Sequence, residues 1–175
     1  MNLSTFVFER GNLVSIYGDA GVGKTALSLQ LALEIKPSVF ISTEGSLFEA
    51  RLEKIKVGEG VYFVSVKSYI ELLNAIVNAL GYNPRLIIID SINAFYRYER
   101  NMQNLLKILI VLKSISRSNI KTILTWQVSS NNRVPGEKLM RKLSDDVLRM
   151  TKYYIIGNLR KCRFMITNGG VTGCL

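Results

Sequence analysis

The sequence predicts an α/β fold: a mainly parallel, twisted sheet flanked by helices, with short antiparallel strands at the C-terminal end. Three observations predict it. Apolar, β-branched runs alternate with amphipathic stretches from Leu13 to Val128. Gly18, Gly23, Lys24 and Thr25 set out the pattern G-x-x-x-x-G-K-T between one such run and one such stretch. The run "RLIIID" (Arg85–Asp90) ends in an acid, as strands do where a parallel sheet presents groups to a ligand at its carboxyl edge.

The elements follow in chain order. "LVSIY" (Leu13–Tyr17) reads as the first strand. "KTALSLQLALEI" (Lys24–Ile35) is apolar at Ala26, Leu27, Leu29, Leu31, Ala32 and Ile35, which is helical spacing, and Pro37 stops it. "SVFIST" (Ser38–Thr43) is the second strand, and "EGSLFEARLEKIK" (Glu44–Lys56) can be helical. "VYFVSV" (Val61–Val66) is the third strand. Ser68 with Glu71 makes a capping box before "LLNAIVNAL" (Leu72–Leu80), and Gly81 closes that helix. After "RLIIID" comes a long amphipathic helix, Asn104–Ser118, and a fifth strand, "KTILTWQV" (Lys121–Val128). "SSNNRVPGEK" (Ser129–Lys138) is a polar loop. Past Leu143, "DDVLRMT", "YYIIGNLRK" and "CRFMITNGGV" read as short antiparallel strands with hairpin connections. The 175 residues are organised as a single core domain, 1–175, without repeat or linker.

Composition limits the chemistry. There is no histidine, and the two cysteines are Cys162 and Cys174. Neither a zinc site nor a His-based triad can be built from that inventory. Two cysteines without an evident signal peptide read as reduced thiols in a cytoplasm. No apolar run approaches membrane-spanning length; "ILIVL" is bounded by Lys107 and Lys113. The net charge of +10 fits a polyanionic partner such as nucleic acid, and equally a solvated lysine-rich surface.

The glycine-rich turn from Gly18 has the composition of a phosphate-binding loop. Glycines let backbone N–H groups turn inward around an anion, and the helix N-terminus after it adds a favourable dipole. Lys24 supplies a point charge for the β- and γ-phosphates, and Thr25 a hydroxyl for Mg²⁺. Asp90 is the acid expected to hold the magnesium shell. Ser91 reads equally as its support or as a turn cap. Glu44 and Gln127 end strands on the same edge. By pattern each is either a group acting at the γ-phosphate or an exposed polar strand end.

Four segments in order, "GDAGVGKTALSLQLALE", "VFISTEGSLFEARLEKI", "LIIIDSINAFYRYE" and "ILTWQV", resemble the ATPase core of RecA/RadA recombinases, with the nearest likeness to archaeal RadA and its shorter RadB-type paralogues. The likeness runs from about Phe8 to Gly170. The Thr-Glu-Gly turn with Arg51 seven residues past Glu44, and Asp-Ser followed by an aromatic-Arg segment, carry it best. The resemblance implies a RecA-like P-loop fold and an ATPase with Mg²⁺. Gly18, Asp19, Ala20, Gly21, Val22, Gly23, Lys24, Thr25 and Ala26 would hold the triphosphate. Arg51 would pack on the adenine. Glu44 would be the catalytic base, assisted by Lys24, and Thr25 with Asp90 would hold the metal. Gln127 would couple the γ-phosphate to two DNA-binding loops. The first loop is "NAFYRYERN" (Asn93–Asn101), with Arg97 and Arg100. The second is "SSNNRVPGEKLMRK" (Ser129–Lys142), with Arg133, Lys138 and Arg141.

What the resemblance implies for function is an accessory factor in homologous recombination and DNA repair. It would bind DNA, single-stranded by preference, beside a full-length recombinase or another repair protein, in the cytoplasm at the nucleoid and off the membrane. The rival expectation is a KaiC-like regulatory ATP-binding module acting on proteins. A small-molecule P-loop kinase fits less well, because Glu44 has no place in one. Three departures bear on activity. The first strand begins about ten residues in, so neither an N-terminal domain nor an aromatic-x-x-Ala motif is expected ahead of it, and filaments of this chain alone are expected to be poor. Trp126 stands where RadA-type proteins usually have Asn, and the second loop has one glycine, Gly136.

Overall fold

Apolar five- and six-residue runs, buried on both faces, make the middle of the sheet: β1 (Leu13–Tyr17), β2 (Ser38–Ser42), β4 (Leu86–Asp90) and β5 (Lys121–Trp126). Burial on both faces is the condition under which an all-parallel arrangement is stable. The computed structural model describes residues 2–45 and 58–174. Within them lie β3 (Val61–Ser65), β6 (Asp146–Met150), β7 (Tyr154–Gly157), β8 (Arg160–Thr167) and β9 (Gly170–Gly173) as well. The order across the sheet is β3-β2-β4-β5-β1-β6-β7-β8-β9. The first six of these strands are parallel and the last three run antiparallel.

Helices cover both faces. On one side α1 (Leu3–Val7) and α2 (Lys24–Glu34) pack on Val14, Ile16, Leu148 and Phe164. On the other, α3 (Tyr69–Ala79) and α5 (Met102–Arg117) bury Leu72, Ile76, Leu105, Leu109 and Leu112 against Ile87, Ile89 and Leu124. Two further short helices, α4 (Ala94–Glu99) and α6 (Glu137–Leu143), follow β4 and β5.

The expected fold class is the observed one, with several local corrections. β6 is parallel to β1, pairing Val14 with Asp146 and Ile16 with Leu148, so the antiparallel part begins one strand later than the hairpin pattern suggests. The segment Asn93–Asn101 is helix α4, ended by Arg100 in the left-handed region at φ 50°. The second loop is helical from Glu137, where Gly136 at φ 87° turns the chain over Trp126. The helix after Asn101 starts at Met102, capped by the Asn101 side chain. Ser68 caps α3 as expected, accepting from the Glu71 N–H, but the helix runs on through a 3₁₀ turn to Tyr82. The short α1, capped by Asn2, is absent from the sequence reading because five residues carry too little periodicity. Cys162 and Cys174 form a disulfide, correcting the expectation of reduced thiols. Pairing of β8 with β9 continues past Gly173, with the Cys174 N–H donating to the Arg163 carbonyl, and sets the two Cα atoms 4.9 Å apart. The helix expected over Glu44–Lys56 lies, beyond Gly45, outside the described residues, and so does Arg51.

Candidate nucleotide-binding site

The carboxyl ends of β1, β2, β4 and β5 meet at one edge, and the glycine-rich turn sits above them between β1 and α2. Two glycines in it are fixed by contact. A Cβ on Gly18 would lie 2.2 Å from the Met150 carbonyl oxygen. Gly23 has φ 102°, and its Cβ would lie 2.3 Å from Ile166 Cδ1. Only glycine combines that conformation with so close a neighbour.

Lys24 is half-buried at the start of α2. Its ammonium donates to the carbonyls of Gly18 (2.7 Å) and Asp19 (2.8 Å), folding back over the turn. Burial pulls its pKa down from the ordinary lysine value, and the carboxylates of Asp90, Asp19 and Glu44 oppose that fall. Next to it, Thr25 Oγ1 donates to Asp90 Oδ2 at 2.6 Å. The other Asp90 oxygen accepts from the Thr125 hydroxyl. Asp90 is thus buried, 2% exposed, and held by hydroxyls from two elements. Ser91 does not bond to Asp90; its buried hydroxyl has no partner among the described residues.

Thr25, Asp90 and Glu44 line one cavity of about 1140 Å³ together with Lys24, Arg97 and Gln127. Glu44 follows β2 directly, its N–H donating to Ser42 Oγ at 3.1 Å. The far wall is the β8–β9 turn, Ile166 to Gly170, which folds onto α2: the Val171 N–H donates to Gln30 Oε1 at 3.2 Å. Sequence reasoning misses this wall. Nothing in "FMITNGGV" (Phe164–Val171) says where a hairpin will land.

The polar edge continues away from the cavity. Arg97 on α4 donates to Gln127 Oε1. Asn93, fully buried, ties three segments: its amide donates to the carbonyls of Gln127 (3.0 Å) and Pro135 (3.1 Å), and its oxygen accepts from the Gln127 N–H (2.9 Å). By pattern Asn93 is only the first residue of a loop; in the fold it joins the ends of β4 and β5 to the second basic segment. Of the five expected DNA-contacting cations, Arg97 faces the cavity. Arg100, Arg133, Lys138 and Arg141 are exposed, Arg141 paired with Glu137 one turn away. Trp126 is fully buried beneath the second segment, its Nε1 donating to Ser15 Oγ at 2.8 Å. It is a packing residue, in contact distance of Gly136.

No family model matches the sequence. The DNA repair and recombination protein RadB of Methanococcoides burtonii is 30% identical over 172 residues, covering 83% of this chain and 76% of that protein. The chain belongs to the RecA/RadA family, as a RadB-type member. RadB of Thermococcus kodakarensis is 26% identical with the same two coverages. The DNA repair protein RadA of Listeria monocytogenes is 24% identical over 150 residues, spanning 32% of that longer protein. In structure this RadB-type chain resembles a KaiC-like protein of Pyrococcus horikoshii, with a TM-score of 0.73 over 98% of this chain and 94% of the other. At 17% identity that likeness shows the RecA-like fold alone.

Proposed function

We propose that this RadB-type chain binds ATP with Mg²⁺, hydrolyses it slowly, and couples that cycle to single-stranded DNA as an accessory factor in homologous recombination. The relatives' names support the setting: they are repair and recombination proteins. The observation that carries the mechanism is the polar link from the cavity to the basic segments, Arg97 to Gln127 and Gln127 to Asn93 to Pro135.

In this reading the turn Gly18–Thr25, with Ala26, holds the triphosphate through its N–H groups and Lys24. Thr25 and Asp90 offer a hydroxyl and a carboxylate, an all-oxygen donor set that suits Mg²⁺, which takes one or two protein oxygens and completes its shell with phosphate and water. When bound, the ion neutralises charge on the phosphates. Glu44 stands on the same cavity edge, where it can take a proton from an attacking water. Gln127 senses the γ-phosphate; its amide is already shared with Arg97, and its backbone with Asn93. The apolar faces of Leu29, Leu33 and Val171 give a base somewhere to pack, with Arg51 assigned to the adenine on the resemblance alone. A full-length recombinase is the protein partner proposed, and the nucleoid the place of action.

Asn93→Ala is expected to separate the two halves of this device. Loss of three part-buried hydrogen bonds leaves two carbonyls and one N–H unpaired, and each should cost about 1–3 kcal/mol in urea unfolding, less where water reaches it. DNA stimulation of turnover should fall further than basal turnover does, measured as phosphate release with and without oligonucleotide.

The KaiC-like alternative, a module that acts on proteins, rests on the structural neighbour. Salt dependence separates the two. Single-stranded DNA affinity should fall steeply with salt, and changing the exposed Arg133 and Lys138 to Ala together should flatten the slope of log affinity against log salt by about 1.4 units, roughly 0.7 for each phosphate that is no longer neutralised. Salt-insensitive or absent DNA binding favours the protein-directed reading.

A further inference from the structure

The end of β2 carries a hydroxyl that the proposed chemistry leaves without a task. Strands β2 and β4 pair in register as far as Ser42 and Asp90. Thr43 extends that pairing beyond the strand ends. Its N–H donates to the Asp90 carbonyl at 2.9 Å. Its Oγ1 accepts from the Ser91 N–H at 2.9 Å and donates to the Ser91 carbonyl at 3.0 Å. One residue therefore makes three hydrogen bonds to Asp90 and Ser91, two of them through its side chain. A hydroxyl can do this because it has one donor proton and two lone pairs. Ser91 is buried, 1% exposed, so water does not readily replace the hydroxyl at either group.

The residues that flank this clamp are the ones hydrolysis needs. Glu44 follows Thr43 directly, and Asp90 precedes Ser91. Each is held from another side as well. The Glu44 N–H donates to the fully buried Ser42 hydroxyl, and the Asp90 carboxylate accepts from Thr25 and Thr125. A connected path thus runs from Glu44 through Thr43 and Ser91 to Asp90, and on to Thr25 at the start of α2. One residue further, the Ile92 N–H donates to the Thr125 carbonyl at 3.0 Å, which carries the same ladder from β4 to β5. Glu44 and Asp90 line the nucleotide cavity, whereas Thr43 is not among the described residues that line it. Its effect on a bound nucleotide passes through its neighbours.

We propose that Thr43 is a positioning residue for hydrolysis: its hydroxyl spans the Ser91 N–H and carbonyl, and so fixes the spacing between Glu44, the general base, and Asp90, the carboxylate offered to the metal. The inference rests on the reading of Glu44 as the base and adds the residue that sets its place. In the step concerned, a water oxygen bonds to the γ-phosphorus and Glu44 takes the water proton. The bond from that phosphorus to the β–γ bridging oxygen breaks, and its electron pair leaves on ADP. The phosphate is placed from the side of Lys24, Thr25 and Asp90, and the base from the side of β2. A tie between those two sides keeps the base in reach. A general base works within about 3 Å of its proton, and a misplacement of about 1 Å can cost about 10²-fold. Shape alone does not supply the tie: valine fills the same space as threonine and would leave the Ser91 N–H and carbonyl without this partner.

The test is single-turnover hydrolysis beside equilibrium ATP binding, with the intact chain. It compares the wild type, Thr43→Val, Thr43→Ser, Glu44→Gln and the double variant that joins Thr43→Val to Glu44→Gln. Thr43→Val should slow hydrolysis by about 10–100-fold while the ATP dissociation constant stays within about twofold. Thr43→Ser keeps the hydroxyl and should turn over within about threefold of the wild type. On the Glu44→Gln background, Thr43→Val should add less than about twofold, because a base already removed cannot be misplaced. If Thr43→Val does not fold, Thr43→Ala takes its place with the same expectations. Thr43→Val at the wild-type rate overturns the assignment, and so does Thr43→Ser as slow as Thr43→Val. ATP binding lost in parallel with the rate makes Thr43 a structural residue, which also overturns it. The full loss repeated on Glu44→Gln does the same, since Thr43 then acts apart from the base. Glu44→Gln at the wild-type rate instead overturns the general-base reading, and this inference with it.

Discussion

Lys24→Ala should abolish ATP binding and turnover. The ammonium is the one side-chain cation within the glycine turn, and it is held there by the Gly18 and Asp19 carbonyls. Without Lys24 the cavity keeps, among its described residues, the carboxylates of Asp90 and Glu44 against one cation, Arg97, a balance of the wrong sign for a triphosphate. Backbone N–H groups alone then face a ligand with several negative charges, and they lack the point charge that reaches the terminal phosphates. Titration with a fluorescent ATP analogue, together with phosphate release, checks this. The fold should survive, since the change removes two surface-near hydrogen bonds and leaves α2's apolar face intact. Wild-type turnover in Lys24→Ala would remove the nucleotide assignment.

Glu44→Gln should keep ATP binding and slow hydrolysis by about 10²–10⁴-fold, the usual worth of a general base. The amide keeps the shape and loses the proton acceptor. Glu44 follows β2 and lines the cavity without belonging to the glycine turn, so phosphate binding should survive its neutralisation. Single-turnover hydrolysis alongside equilibrium binding separates the two effects. A variant that loses binding yet keeps its turnover per bound nucleotide would make Glu44 a structural residue.

Lys24 and Thr25 are legible in the sequence because local chemistry fixes them. The glycine turn lies between a buried strand and a helix, so both residues fall at the helix start. Asp90 is legible because an apolar strand that ends in an acid leaves it at the carboxyl edge, where Thr25 and Thr125 meet it. What escapes the sequence depends on neighbours far along the chain. The β8–β9 turn becomes a cavity wall because Ile166 packs on Gly23 and Val171 bonds to Gln30, partners about 140 residues away. Asn93 looks like any loop polar residue; its role comes from the end of β5 and a proline carbonyl that converge on it. Trp126, a departure from the family pattern, becomes intelligible once Ser15 and Gly136 are seen around it. The disulfide escapes because compartment reasoning ignores what strand pairing brings together.

In the proposed function, the coupling between a nucleotide cycle and a DNA strand runs through Gln127 and Asn93. Its most direct test is steady-state ATP turnover by the intact chain, with and without single-stranded DNA, at fixed magnesium. Slow basal turnover should rise when DNA is added, and the rise should be smaller in the Arg133→Ala, Lys138→Ala variant. Turnover that single-stranded DNA does not change, at concentrations where anisotropy shows it bound, would contradict the coupling.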